Sequence, residues 1–218
     1  MASGEVPTRV RLLEAAVAVM AESGWAAVTS RAVAERAQAN NALVHYYFGS
    51  VDALRRAAVM HGIERELEGP VNAILQAPDV LDGVDQAVAV LTAGGGPGQR
   101  VMAEALVAGL RDGELREQSA VQLRMFRDLL AARLAADRDA GRLRPDADPA
   151  GLAVVIAALL DGLLLHALMD PATDTAAAAA SITALLRAAA PEQTPDAPPG
   201  GPAERPPADE GDDDDAAR

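Results

Sequence analysis

Between Thr29 and Leu54 the chain reads TSRAVAERAQANNALVHYYFGSVDAL, which gathers a histidine and three aromatics although aromatics make up only 2% of the 218 residues. An asparagine amide presents a donor and an acceptor together, the pair needed to read the edge of adenine, and tyrosine hydroxyls and histidine nitrogens reach phosphates without adding positive charge. Asn41, His45 and Tyr46 therefore form a candidate DNA-reading set. Aromatics that only cover a small core would give the same composition, because each ring buries a large area. The surrounding elements distinguish the two.

Catalysis finds less support. The histidines stand apart at 45, 61 and 166 and there is no cysteine, so no metal cluster, thiolate site or cysteine nucleophile can be drawn from the sequence. Neither a GxSxG elbow, a Walker-type loop nor a GxGxxG opening a helix is present. GGGPG at 94–98 lacks the lysine and the preceding strand of a phosphate loop. Asp161 and His166 are five apart, about 500° round a helix, and do not share a face. The expectation is a binding protein, with no enzyme activity, metal or cofactor.

Val10, Leu13, Val17 and Met20 recur at three- and four-residue steps as far as Ser23-Gly24, which predicts an amphipathic helix stopped by a glycine. SRAVAERA, capped by Thr29 or Ser30, predicts a short helix with Val33, Ala34 and Ala37 on one face. Gln38 to Asn40 break it, NALVHYYF follows as a second short helix, and Ser50 caps a longer one that runs towards Gly69-Pro70. Two short helices around a tight turn, backed by a supporting helix, suit a helix-turn-helix whose second helix enters the major groove. On that helix Ala42, Val44 and Phe48 are expected inward and Asn41, His45 and Tyr46 outward.

Further helices are expected at about 80–93, 98–111, 114–140, 149–169 and 174–189, separated by breakers such as GGGPG and RPDADP. With 50% hydrophobic residues and few aromatics, the fold class is all-α with a sizeable core. Residues 191–218, rich in Pro, Gly and Asp, are expected to form a disordered acidic tail. That tail matters to the charge. The net −13 opposes nucleic-acid binding on its face, yet nine acids and two arginines lie in the tail, while seven arginines balance seven acids within residues 1–66. Affinity for DNA must then come from local placement of Arg and helix N-termini rather than from a basic field. The N-terminal segment lacks the uninterrupted apolar run of a signal peptide, and residues 152–169 are interrupted by Asp161 and His166, so a cytoplasmic protein without a membrane span is expected.

From the first helix through ESGWAAVTSRAVAERAQANNALVHYYFGSVDALRRAA the chain resembles the TetR family of bacterial transcriptional regulators. The residues that carry the resemblance are Gly24-Trp25, Thr29, Val33-Ala34, Ala37, YYF, and the serine ahead of DAL. It implies an N-terminal three-helix DNA-binding domain over 1–50 and a helical ligand-binding and dimerisation domain over 51–190. It also implies that Thr29 holds a phosphate, that Arg31 reaches a base or phosphate, and that Asn40, Asn41, Leu43, His45, Tyr46 and Tyr47 line the groove, with Ala42 and Leu43 against thymine methyls. Arg9 and Arg11 are placed to flank the minor groove or simply to solvate a helix start. The chain departs from the family pattern at Gln38 and Ala42, where glycine is common, at His45 for tyrosine, and at Val51 for a phosphate-contacting lysine. Without that lysine, Arg31 and Arg55 are left to supply charge.

Two recognition helices roughly 34 to 36 Å apart require a dimer. LAVVIAALLDGLLLHALMD and TAAAAASITALLRAAA supply two adjacent apolar helices for a homodimer, although a purely internal core would read the same. The resemblance implies a small-molecule effector, and Met102, Leu106, Leu110, Met125, Phe126, Leu129 and His166 are the candidate lining. Met and Leu at helical spacing equally describe plain core, and His166 a satisfied buried histidine. The sparse charge favours an apolar or amphipathic ligand. The expected function is a homodimeric repressor of a pseudo-palindromic operator, released by ligand; a helical carrier without DNA binding is the alternative.

Overall fold

The computed structural model describes residues 6–187. Those residues form helices and no strand: α1 (Thr8–Ser23), a short 3-10 turn (Trp25–Ala27), α2 (Ser30–Arg36), α3 (Asn41–Phe48), α4 (Val51–Gln76), α5 (Val80–Thr92), α6 (Pro97–Gly109), α7 (Gly113–Asp139), α8 (Pro149–Met169) and α9 (Thr175–Leu186). The all-α expectation is met. Most starts are written in side chains: Thr29, Asn40, Ser50, Asp79, Asp112, Asp148 and Asp174 each accept a backbone N–H of the first turn they precede. Gly24, at φ 82°, closes α1 with its N–H on the Met20 carbonyl at 2.8 Å. The expected acidic tail, and the last residues of the helix expected over 174–189, lie outside the described residues.

One boundary differs. The helix expected to finish near Gly69-Pro70 continues to Gln76 with Pro70 inside it. Proline removes one ladder hydrogen bond, but Pro70 is buried and Ile74, a turn later, is fully enclosed against α5. Tertiary burial outweighs the lost bond. The approach of the two helices is close: a side chain at Gly83 of α5 would meet the Ile74 backbone at 2.7 Å.

Two apolar clusters organise the packing. The first joins Leu12, Leu13, Ala16 and Met20 of α1 to Val33 of α2, Val44 of α3, and Leu54, Ala58 and Val59 of α4. Val101 and Ala105 of α6 and Leu115 of α7 complete it. The second joins α4, α5, α7, α8 and α9 around Ile74, Leu81, Leu91, Leu130, Leu134, Ile156 and Leu164. Packing is therefore continuous past residue 50, where a boundary was expected, because the first half of α4 and part of α6 serve the head's own core.

Buried polar groups tie the second cluster. Asp137, 2% exposed, accepts the Val80 N–H at 2.5 Å and binds Arg142. Arg187 pairs with Asp79 at 3.0 Å and with Asp82, and the Thr183 hydroxyl donates to Asp85, which holds α9 on α5. Burial alone pushes the Asp79 carboxyl up, but the Asp82 N–H and Arg187 outweigh it and hold it below its ordinary value.

α8 has the length and apolarity of a membrane span, yet Ala153, Ile156, Leu160, Leu163 and Leu164 are buried in the core. Only 33% of its most apolar window is buried, and Val154, Val155, Leu165 and Met169 stay exposed, as does Leu185 of α9. Internal packing alone does not use this surface.

Candidate nucleic-acid interface

α2 and α3 are short, and each is opened by a side-chain cap that also faces solvent. Thr29 Oγ1 accepts the Ala32 N–H at 3.1 Å, and Asn40 Oδ1 accepts the Ala42 N–H at 2.9 Å. Between them the turn is closed by the Ala39 N–H on the Ala34 carbonyl at 2.9 Å. Gln38 adopts φ 51°, alone among non-glycine described residues at positive φ. This is the position where the resembling turn carries glycine.

α3 buries little. Val44 is fully enclosed, with Leu43 and Phe48 half-buried beside it. Ala42, expected inward, is exposed, because Leu43 rather than Ala42 shares the inward stripe with Val44 and Phe48. Leu43 is therefore divided between the head core and the surface. Arg31, Asn41, His45 and Tyr47 are exposed, and Tyr46 is 78% exposed. The two tyrosines therefore do not cover the core, whereas Phe48 does. Tyr46 and Tyr47 pack edge to face at 5.0 Å, which steadies both rings while their hydroxyls remain available. A helix about 10–12 Å across fits the major groove, about 12 Å wide, and this face offers amide, hydroxyl, imidazole and guanidinium groups.

The arginines of the head are mostly occupied elsewhere. Arg11, expected beside the minor groove, donates from Nη2 to the Ala37 carbonyl at 2.7 Å and the Gln38 carbonyl at 3.4 Å, so it braces the turn. Arg55, expected to compensate for Val51, donates to the Val28 and Ala26 carbonyls and pairs with Asp52. Arg36 grips Glu22 through two contacts of 2.6 Å, Arg65 binds Glu14, and Arg56 reaches Asp112 and Glu114. The Leu115 N–H, and with it Arg56, holds the Asp112 carboxyl below its usual value despite some burial. Arg31 remains unpaired among the described residues, and Arg9 lies over the Phe48 ring at 5.5 Å.

The seven effector-site candidates differ in their exposure. Met102 is buried in the second cluster, Phe126 and Leu129 are half-buried, and Leu106, Leu110, Met125 and His166 face solvent. His166 is thus not the buried histidine it was weighed as. None of the seven lines the cleft formed where α1, α4 and α6 meet. This cleft, about 540 Å³, opens between α1, α4 and α6, with Glu14, Val17 and Ala18 on one wall, His61, Gly62, Arg65 and Glu66 on another, and Pro97-Gly98 on the third. Sequence reasoning missed it, since no periodicity connects residues 14, 66 and 98. It also missed Glu104 of α6, whose Oε2 accepts the Trp25 N–H at 3.3 Å and links α6 to the turn after α1.

Comparison with known proteins agrees with this architecture. Residues 12–58 match the family model described as bacterial regulatory proteins, tetR family, and residues 79–193 match that of the BetI-type transcriptional repressor C-terminal domain. No curated protein sequence matches. Among solved structures, Salmonella enterica GusR superposes with a TM-score of 0.70 at 19% identity, covering 85% of this chain and 97% of its own. A TetR transcriptional regulator from Chloroflexus aurantiacus gives 0.69 at 19% identity, over 84% and 97% of the two chains. A transcriptional regulator from Saccharomonospora viridis, solved with choline, gives 0.68 at 20% identity, over 81% and 93%. At such identities the likeness speaks to the fold.

Proposed function

The chain belongs to the TetR family of bacterial regulatory proteins, and on that premise we propose that it is a homodimeric, ligand-responsive repressor that binds a pseudo-palindromic operator in the cytoplasm. The observation that carries this reading is the outward face of α3. Asn41, His45, Tyr46 and Tyr47 crowd onto the exposed face of a two-turn helix that buries only Val44 fully, a composition the head core does not require. Thr29, Arg31 and Asn40 lie beside that face, at the starts of α2 and α3, where phosphates are held.

The dimer reading rests on α8 and α9. Val154, Val155, Leu165, Met169 and Leu185 form an apolar surface that a second copy would bury, placing two α3 helices on one side of the assembly. Release by ligand requires the effector to select a dimer whose heads no longer match successive grooves. α4 is the lever, since Leu54 and Ala58 are locked in the head core, with Ala57 packed beside them, while Ile74 is locked in the other cluster. Identical head separation with and without a proven inducer would refute the lever.

A second reading has one specific support. Val51 and the internal engagement of Arg11, Arg36, Arg55 and Arg56 leave the head with little free charge, as in a helical sensor or carrier that no longer reads DNA. Selection of purified protein on a random duplex library of roughly 30 bp, long enough for two half-sites, separates the two. Enrichment of an inverted repeat, with Tyr46→Ala or Arg31→Ala weakening binding at least about tenfold, is the expected outcome. No enrichment even at low salt would make the carrier reading the better one.

A further inference from the structure

The cleft between α1, α4 and α6 is lined by none of the groove-facing side chains and by no residue of α8 or α9. At about 540 Å³ it has the size of a small-molecule site. Its walls are of two kinds. Val17, Ala18 and Pro97 provide apolar surface, while Glu14 and Arg65 pair with each other at 3.0 Å and largely cancel. Glu66 is different. No cation or hydrogen-bond donor reaches its half-buried carboxylate among the described residues, and burial alone pushes its carboxyl above the ordinary value. Gly98 permits this placement, because a Cβ there would overlap the Glu66 carboxylate. Nearby, His61 Nε2 is buried without a partner.

Among the described groups, only the partial positive charge of the α6 N-terminus at Gly98 faces this half-buried carboxylate, and a cationic ligand would supply a full counter-charge. We propose that this cleft is an effector site for a small amphipathic organic cation, an alkyl- or arylammonium, whose charged head pairs with Glu66 and whose apolar part lies on Val17, Ala18 and Pro97. Its consequence for DNA rests on the repressor reading, since an occupant would touch α1 of the head, α4 and α6 at once. The binding itself does not depend on that reading.

The test uses the full chain and three probes of one skeleton, phenylbutylammonium, phenylbutanol and phenylbutyrate, titrated by calorimetry at neutral pH. Phenylbutylammonium should bind at least about tenfold more tightly than the alcohol, and phenylbutyrate more weakly than either. Glu66→Gln keeps the shape and removes the charge. It should bring the ammonium down to the affinity of the alcohol, while the unliganded variant melts no lower than wild type, which shows that the fold is intact. Equal binding of ammonium and alcohol, an ammonium preference that survives Glu66→Gln, or no binding of any probe at millimolar concentration would overturn the proposal. Operator selection without probe is scored separately, so a failure of cation binding and a failure of DNA binding remain distinguishable.

Discussion

Gln38→Gly is the perturbation that most directly examines the helix-turn-helix turn. Gln38 holds φ 51°, and a residue with a Cβ in the left-handed region costs about 1–2 kcal/mol relative to the right-handed one. Glycine removes that cost but loses more chain entropy on folding, about 0.5–1 kcal/mol. The Gln38 side chain is exposed and makes no hydrogen bond among the described residues, and the carbonyls held by Arg11 are unchanged by the substitution. The net expectation is a gain of about 0.5–1 kcal/mol. Gln38→Val should go the other way, losing about 1 kcal/mol or more, since a β-branched residue is a poor occupant of positive φ. Urea denaturation at one fixed protein concentration reads both, the concentration being held because the stability of the proposed dimer would depend on it. A glycine variant less stable than wild type, or a valine variant equal to it, would refute the assignment of strain to this turn.

Two further outcomes follow from the same packing. On the proposed reading of a dimeric repressor, with Arg31 and Arg9 as the arginines left to each head, two heads would neutralise about four phosphates, so log K for the operator should fall against log salt with a slope of about −3.6. Val51→Lys should steepen it by about two, one per head; a wild-type slope near −7, read by titration at several salt concentrations, would show that the internally paired arginines also turn to DNA. Asp161 in α8 has its carboxyl raised by burial, so its charged form destabilises the fold fully above the folded-state pKa, and the penalty shrinks as pH falls from there to the ordinary unfolded-state value, below which it is gone. Asp161→Asn should therefore raise the melting temperature at neutral pH, with an advantage that shrinks as pH falls through that raised pKa; an advantage independent of pH would mean that burial of charge is not its cause.

What was legible in the sequence is the part governed by local rules. Helix ends followed from caps and breakers because Thr29, Ser50 and Gly24 act on backbone groups within three or four residues. The outward set on α3 followed from helical spacing, apart from Ala42, where eight residues are too few for periodicity to separate it from its neighbour Leu43. The roles of Arg11 and Arg55 were not legible. An arginine on an amphipathic helix looks the same whether its guanidinium reaches water, phosphate or a carbonyl 26 or 27 residues away. Pro70 misled for a related reason: a local rule for ending helices was overruled by burial against α5. The cleft was illegible in principle, since it exists only where three helices meet.

That meeting also bears on how an effector would act. Val101, Ala105 and Leu115 contribute to the head's core as fully as Leu12 or Val33 do, and Glu104 holds the Trp25 N–H. Burying Val101 and Leu115 alone is worth about 3–6 kcal/mol, against the about 5–15 kcal/mol that stabilises a whole domain. The head therefore cannot ignore a displacement of α6. A shift large enough to unseat those side chains would cost the head much of its stability, whereas a rigid-body rotation that carries the head along keeps the contacts and costs little. An effector wedged between α1, α4 and α6 would favour rotation over local melting. Heads that remain folded but turned away from successive grooves are then the expected ligand-bound state.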